Sequence, residues 1–422
     1  MSETAAQQPM STNSLPSDVD FKSISLPRIT IQAFCETKAQ ADEIEAAGRD
    51  RRMDKTHTNV YGGGIDAAAQ YYASAATPNL LIVETQLTGQ ALLNELDKLA
   101  DVCDPGTKVM VIGVLNDVEL YRALITNGVS EYLVGPVSLQ KFISTISRFY
   151  EGPATEPMGR TIAVVGAKGG CGSSCVAHNL SWTIAHTLEN DVAICDLDLP
   201  FGTGGLDFNQ DPMQGIWDAV STPDKLDKTF IDRLLAKCNE RLSLLAAPAM
   251  LDRTYDFTEE QFQPVINSAR ETSPVVVLDL PHTWNAWNKQ VLASADEVVI
   301  VAEPDLANLR NAKNLMDALT QLRPNDQRAL LVLNKVGVPK RPEIRIEDFG
   351  AALETTPVCS LGYEPLMFGN AANNGQMIAE VNKKHAIAKH FEELARTTMG
   401  HTESKQPKTS TINSFLSKLG RK

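Results

Sequence analysis

The sequence predicts an α/β protein built from two doubly wound parallel sheets in tandem. Three observations lead there. From Arg28 onward short apolar segments alternate with helix-length amphipathic ones, the pattern of parallel strands joined by crossover helices. A glycine-rich turn at 166–172 joins an apolar strand to a helix start, the order used by phosphate-binding loops. Between the two halves, Glu151-Gly-Pro-Ala-Thr-Glu-Pro-Met-Gly159 carries two prolines and two glycines in nine residues and reads as a linker.

The first 27 residues are rich in Ser, Pro, Gln and Thr and read as a disordered arm. In residues 28–150 the candidate strands are Ile29–Ala33, Leu80–Val83, Lys108–Gly113 and Glu131–Val134. The candidate helices lie near Lys38–Ala47, Gln90–Ala100, Val118–Asn127 and Leu139–Phe149. This block resembles a response-regulator receiver domain, of flavodoxin-like fold. Gly128-Val-Ser-Glu-Tyr-Leu-Val-Gly-Pro136 matches the last strand and turn, with Gly135 in place of the usual lysine. Asn79-Leu-Leu-Ile-Val-Glu84 matches the strand that ends in the phosphoacceptor aspartate, with Glu84 in its place. Cys35-Glu36 replaces the acidic pair after the first strand. A glutamate is one methylene longer, and without the lysine a phosphoryl group lacks its partner charge. The expectation is a receiver-like fold without phosphotransfer, whose work is protein contact; a passive spacer is the alternative.

The second block runs from Arg160 to about Gly400 and opens on Thr161-Ile-Ala-Val-Val-Gly-Ala-Lys-Gly-Gly-Cys-Gly-Ser-Ser174. Glycines let backbone N–H groups close around phosphate oxygens, and the helix N-terminus adds partial positive charge. The usual loop ends Gly-Lys-Ser/Thr; here Ser173 takes the lysine position, and Lys168 stands before the glycine pair. That arrangement resembles the deviant Walker A loop of the MinD/ParA group of dimeric ATPases. The resemblance implies ATP and Mg²⁺ as cofactors. Gly169, Gly170, Cys171, Gly172 and Ser173 would line the cradle, Lys168 would reach the partner's nucleotide across a homodimer, and Ser174 would hold Mg²⁺. Loss of the in-loop lysine weakens phosphate binding and transition-state stabilisation, so hydrolysis is expected to be slow.

Three later segments extend the pattern. Val192-Ala-Ile-Cys-Asp-Leu-Asp-Leu-Pro200 ends a strand in two carboxylates on one side of the extended chain. By the same resemblance, Asp198 orients or activates the attacking water and Asp196 supports the metal; helix capping is the alternative. Pro274-Val-Val-Val-Leu-Asp-Leu-Pro281 reads as a strand buried on both faces, with Asp279 in the Walker B position. The two tryptophans of His282-Thr-Trp-Asn-Ala-Trp287 read as packing or partner contacts. Arg328-Ala-Leu-Leu-Val-Leu-Asn-Lys335 ends in Asn334, which either reads the adenine edge or serves as a turn residue.

The fusion of a receiver-like block to a deviant Walker ATPase resembles the CpaE/TadZ family of type IVc (Flp/Tad) pilus assembly. Asp196-Leu-Asp-Leu-Pro-Phe-Gly-Thr-Gly-Gly-Leu-Asp-Phe208, Lys340-Arg-Pro-Glu-Ile344 and Phe368-Gly-Asn-Ala-Ala-Asn-Asn-Gly-Gln-Met377 agree with it. It implies an ATP-bound dimer, polar or membrane-proximal placement, and contact with pilus-assembly proteins including the secretion ATPase. A partition or positioning ATPase acting on other cargo, and a scaffold with an empty site, are the other readings.

Composition narrows the choice. A net charge of −13 opposes non-specific nucleic-acid binding, and 43% hydrophobic residues over 422 positions supply large cores. No apolar run reaches membrane-span length, and the N-terminus lacks signal-peptide features, so a cytoplasmic protein is expected. Seven scattered cysteines read as reduced thiols. Cys171, Cys175 and His178 cluster in sequence, but no second Cys-x-x-Cys completes a metal site, and the two cysteines read as a small loop residue and a small helix residue. Residues 401–411 read as a tether. In 411–422, Ile412, Phe415, Leu416 and Leu419 share one helix face while Lys418, Arg421 and Lys422 add charge. That segment is expected either to touch the inner membrane or to dock on protein.

Overall fold

The computed structural model describes residues 26–150, 158–258 and 260–400. The N-terminal arm up to residue 25, most of the linker, and the amphipathic segment 411–422 lie outside the described residues. The chain divides into two compact units between Met158 and Gly159.

The first unit holds five parallel strands: β1 (Thr30–Cys35), β2 (His57–Gly62), β3 (Leu80–Glu84), β4 (Lys108–Gly113) and β5 (Glu131–Val134), in the order β2-β1-β3-β4-β5. This is the flavodoxin-like order, whose switch point lies between β1 and β3. Successive residues of β3 feed opposite cores: Leu80 and Ile82 on one face, Leu81 and Val83 on the other. An apolar run without alternation is the signature of a strand covered on both sides. β2 and the helix Gly64–Tyr72 that follows it went unread in the sequence. His-Thr-Asn-Val-Tyr-Gly has no apolar run because β2 is an edge strand and is only partly buried.

The second unit is an eight-stranded sheet. Its members are β6 (Arg160–Gly166), β7 (Val192–Asp196), β8 (Ala236–Lys237), β9 (Leu242–Leu245), β10 (Val275–Leu280), β11 (Glu297–Ala302), β12 (Leu330–Val336) and β13 (Cys359–Gly362). They lie in the order β13-β12-β11-β6-β10-β7-β9-β8, parallel throughout except β8. The chain crosses from β10 over β6 to β11, so the C-terminal end of β6 is a switch point, where open α/β sheets bind ligands. β6 alternates Ile162 and Val164 into one core with Ala163 and Val165 into the other. The helix Ser173–Thr187 packs on the first of these faces together with the helix Ala386–Thr398.

Candidate nucleotide site

Strand parity decides which side chains meet. In β7, β10 and β12, Ile194, Val277 and Val332 belong to the core under the helix Ser173–Thr187. Side chains alternate with period two, so Asp196, Asp279 and Asn334 emerge on that same face at the C-terminal ends of their strands. All three are buried.

The loop between β6 and its helix is built on that edge. Ala167 N–H donates to the Val301 carbonyl at 2.8 Å, and the Cys171 thiol donates to the same carbonyl at 3.3 Å. Gly170 and Gly172 have φ of 81° and 89°, a region that an L side chain occupies only with strain. A Cβ on Gly172 would stand 2.5 Å from Asn334 Nδ2. Asn334 donates to the Cys171 carbonyl at 2.8 Å and accepts from Lys335 N–H at 2.8 Å. In this structure Asn334 therefore braces the loop. Lys335 donates from Nζ to the Gly170 carbonyl and to Glu303 Oε1, and Arg341 joins the opposite oxygen of Glu303. Lys335 was not singled out from the sequence, although it stands beside Asn334 at the strand end. Lys168, Gly169 and Gly170 are exposed. The charge of Lys168 reaches Asp305: burial opposes ionisation there, but hydrogen bonds from Asn308 and the Lys168 charge hold the carboxyl below the usual range.

The carboxylates differ in what they hold. Asp196 Oδ1 accepts from Asp198 N–H at 3.2 Å and Oδ2 from Gly204 N–H at 2.9 Å. Burial, and then the neighbouring charge of Asp279, push its carboxyl up to about 7. Asp198 is half-buried and accepts from Phe201 N–H at 3.3 Å; burial raises its pKa. Asp279 is 1% exposed, yet both its oxygens lack a hydrogen-bond partner among the described residues. His178 fills part of that gap, with Nε2 3.5 Å from Asp279 Oδ2 and Nδ1 2.7 Å from Asp207 Oδ2. Burial alone would lower the imidazole, but these two carboxylates outweigh it and raise it to about 10. The partners of His178 are thus carboxylates, although the charges of the same two aspartates also reach Cys175. His282 Nδ1 lies 2.9 Å from the Gly166 carbonyl, beside a cavity of about 390 Å³ that Trp284 and Asn311 also line. Trp287 is buried against Phe262, whereas Trp284 is half exposed.

These residues fit nucleotide and Mg²⁺. Mg²⁺ sites of this kind use one or two carboxylates plus substrate phosphates and waters. They need no cluster of three protein ligands, and none occurs among the described residues. The open oxygens of Asp279 suit a water-bridged cation. Ser174 sits one helical turn before His178 on the same face, where its hydroxyl would complete the set. The left-handed glycines leave room for phosphate against the backbone.

The receiver-like unit carries a different arrangement at its own switch point. Glu84 accepts from Thr37 N–H at 2.8 Å and from Thr37 Oγ1 at 2.6 Å. Glu36 accepts from Gln86 N–H at 3.0 Å. The extra methylene of Glu84 lets the carboxylate reach the cap of the helix Lys38–Gly48.

Comparison with known proteins agrees with this anatomy. A profile described as an AAA domain, AAA_31, matches residues 159–332. The pilus assembly protein CpaE from Caulobacter crescentus is 48% identical over 30% of this chain and 96% of its own, in the N-terminal region, with a TM-score of 0.29. Sequence identity at that coverage decides the matter. The chain belongs to the CpaE family. Beyond that region, the septum site-determining protein MinD of Synechocystis is 26% identical over 252 residues, 58% of this chain and 90% of its own. A ParA family ATPase from Chlorobium tepidum shares the P-loop fold: TM-score 0.51, 23% identity, 56% of this chain and 98% of that one. This CpaE-family chain therefore joins a receiver-like unit to a MinD/ParA-like P-loop unit. Among the described residues no helix is long and apolar enough to cross a membrane.

Proposed function

We propose that the protein is an ATP-binding, ATP-gated homodimer that marks a site for type IVc pilus assembly. The observation that carries the nucleotide reading is the loop 167–174, with its left-handed glycines, on the same sheet face as the unfilled carboxylate of Asp279. Gly169, Gly170, Cys171, Gly172 and Ser173 would cradle the phosphates. Ser174 and Asp279 would hold Mg²⁺, which when bound neutralises phosphate charge. Asp196 would support that site from below and Asp198 would position water.

Lys168 supports the dimer reading. It is exposed rather than folded into its own loop, as a residue reaching a partner's nucleotide must be. Two nucleotides facing one another repel unless cations intervene. Trp284 and Leu306 are exposed apolar side chains, one beside the loop's outer cavity and one next to Asp305, and suit burial between protomers. Pilus-assembly partners, including the secretion ATPase, and placement at the inner membrane rest on family membership. Sedimentation of the full chain tests the central claim. ATP with Mg²⁺ should shift it from monomer to dimer, and Lys168→Ala should lose that response. A monomer at saturating ATP refutes it.

A further inference from the structure

His178 lies outside the cradle, yet it is the group on which three separate elements converge. It projects from the helix Ser173–Thr187, 1% exposed, with Nδ1 2.7 Å from Asp207 and Nε2 3.5 Å from Asp279. Asp207 ends the short helix Gly204–Asp207. That helix closes a segment, 198–208, whose ends are anchored by the buried Leu199 and Phe208 and whose middle is tied by polar bonds. Gly204 N–H donates to Asp196, Thr203 Oγ1 donates to Asp207 at 3.2 Å, and the backbone of 201 and 202 turns onto Asp198. Phe208 packs its ring at 5.2 Å from the imidazole. Gly202 is there because a Cβ would stand 2.4 Å from Asp196 Oδ2. The outward side of the same segment carries Phe201 and Leu206, 68% and 76% exposed.

We propose that His178 is a positioning residue that fastens the segment 198–208 to Asp279, so that occupancy of the nucleotide site is reported at the apolar surface carrying Phe201 and Leu206. The argument is geometric. Among the described residues Asp279 makes no hydrogen bond, and the His178 ring, with Nε2 at 3.5 Å, is the ion-pair partner beside its open oxygens, so a group bound at those oxygens acts on that ring. That side chain's other nitrogen holds Asp207, whose carboxylate is part of the segment. Ser174 and His178 stand at i and i+4 on one helix face, so the hydroxyl proposed for the metal and the ring beneath it move as one body.

The inference rests on the nucleotide reading above. The test is hydrogen exchange of the full-length protein, with and without ATP and Mg²⁺, read separately over 166–176 and 199–210. In the natural chain nucleotide should slow exchange in both windows. In His178→Leu and in Asp207→Asn the loop window should keep its protection while 199–210 loses it, exchanging roughly ten- to a hundredfold faster. Asp207→Asn alters only the partly exposed end of the link, so it decides the matter if His178→Leu does not fold. Protection of 199–210 that survives in the folded variants overturns this inference and leaves the nucleotide site standing. No protection of 166–176 in the natural chain overturns the nucleotide reading, and this inference with it.

Discussion

Replacing Gly172 with alanine separates two costs that the loop geometry combines. The residue has φ of 89°, so any L side chain is strained there by about 1–2 kcal/mol. The new Cβ would also stand 2.5 Å from Asn334 Nδ2. That amide must then leave the Cys171 carbonyl, which it holds at 2.8 Å inside the protein. A buried acceptor left without its donor costs about 1–3 kcal/mol. The sum for Gly172→Ala is about 2–5 kcal/mol. Gly170→Ala is the control: its φ is 81°, but its Cβ meets nothing within 4 Å, so it should lose only the strain. All four tryptophans, at 182, 217, 284 and 287, lie in the P-loop unit, so denaturant unfolding followed by tryptophan fluorescence reports that unit without the other. A third comparison closes the cycle. Once Asn334→Ala has removed the amide, adding Gly172→Ala should cost about 1–2 kcal/mol, leaving a coupling of about 1–3 kcal/mol between the two sites. Equal losses for Gly170→Ala and Gly172→Ala, within about 0.5 kcal/mol, would refute the brace.

Four further outcomes are expected. Treatment with acetyl phosphate should leave residues 28–150 without a phosphate adduct by mass spectrometry, because both oxygens of Glu84 are held by Thr37; a stable single adduct contradicts this. Ser173→Lys should tighten ATP binding by roughly tenfold in a titration, the worth of one charge-assisted hydrogen bond; unchanged affinity means that the loop does not face the phosphates. Glu343 sits below the usual carboxylate range because the N–H groups of Gly337 and Val338 and the Arg341 guanidinium outweigh its desolvation. A depressed carboxylate stabilises the fold above its ordinary pKa of 4.5 and loses that contribution as pH falls through the folded value. The stability gap between the natural chain and Glu343→Gln should therefore be widest at neutral pH and close below 4.5. Deletion of 411–422 should abolish ATP-dependent flotation with anionic liposomes; an intact dimer that stays soluble at low salt makes that segment a protein-docking one.

What could be read from the sequence and what could not divide along a physical line. β6, β7, β10 and β12 announce themselves because both their faces are buried, and burial on both faces demands an unbroken apolar run. The same runs put Asp196, Asp279 and Asn334 at strand ends, while their common face follows from the core that Ile194, Val277 and Val332 share. β2 stayed invisible because an edge strand needs no such run, and the helix Gly64–Tyr72 followed it into obscurity. β11 and β13 passed unremarked for another reason: no chemistry-bearing residue of the expected pattern ends them.

Side-chain partnership is harder to read, because it depends on contacts far apart in the chain. In the sequence His178 stands out only by its spacing from Cys171 and Cys175. Its actual partners are Asp207, on a four-residue helix, and Asp279, on a different strand. A histidine in a helix core costs its desolvation wherever it sits, and nothing local offsets that cost. The useful signal was the run Phe-Gly-Thr-Gly-Gly-Leu-Asp at 201–207. Three glycines within four residues are a poor choice for a surface helix and a good one for backbone that must pass close to a buried group. At Gly202 and Gly204 that group is Asp196, whose oxygen a Cβ would meet at 2.4 and 3.0 Å. Once the glycines draw the chain down onto Asp196, Asp207 is carried to the far side of the same short turn, where His178 is the cation waiting for it. The glycines and the histidine therefore serve one constraint, and a side chain added at Gly202 should loosen the segment 198–208 much as the loss of His178 would.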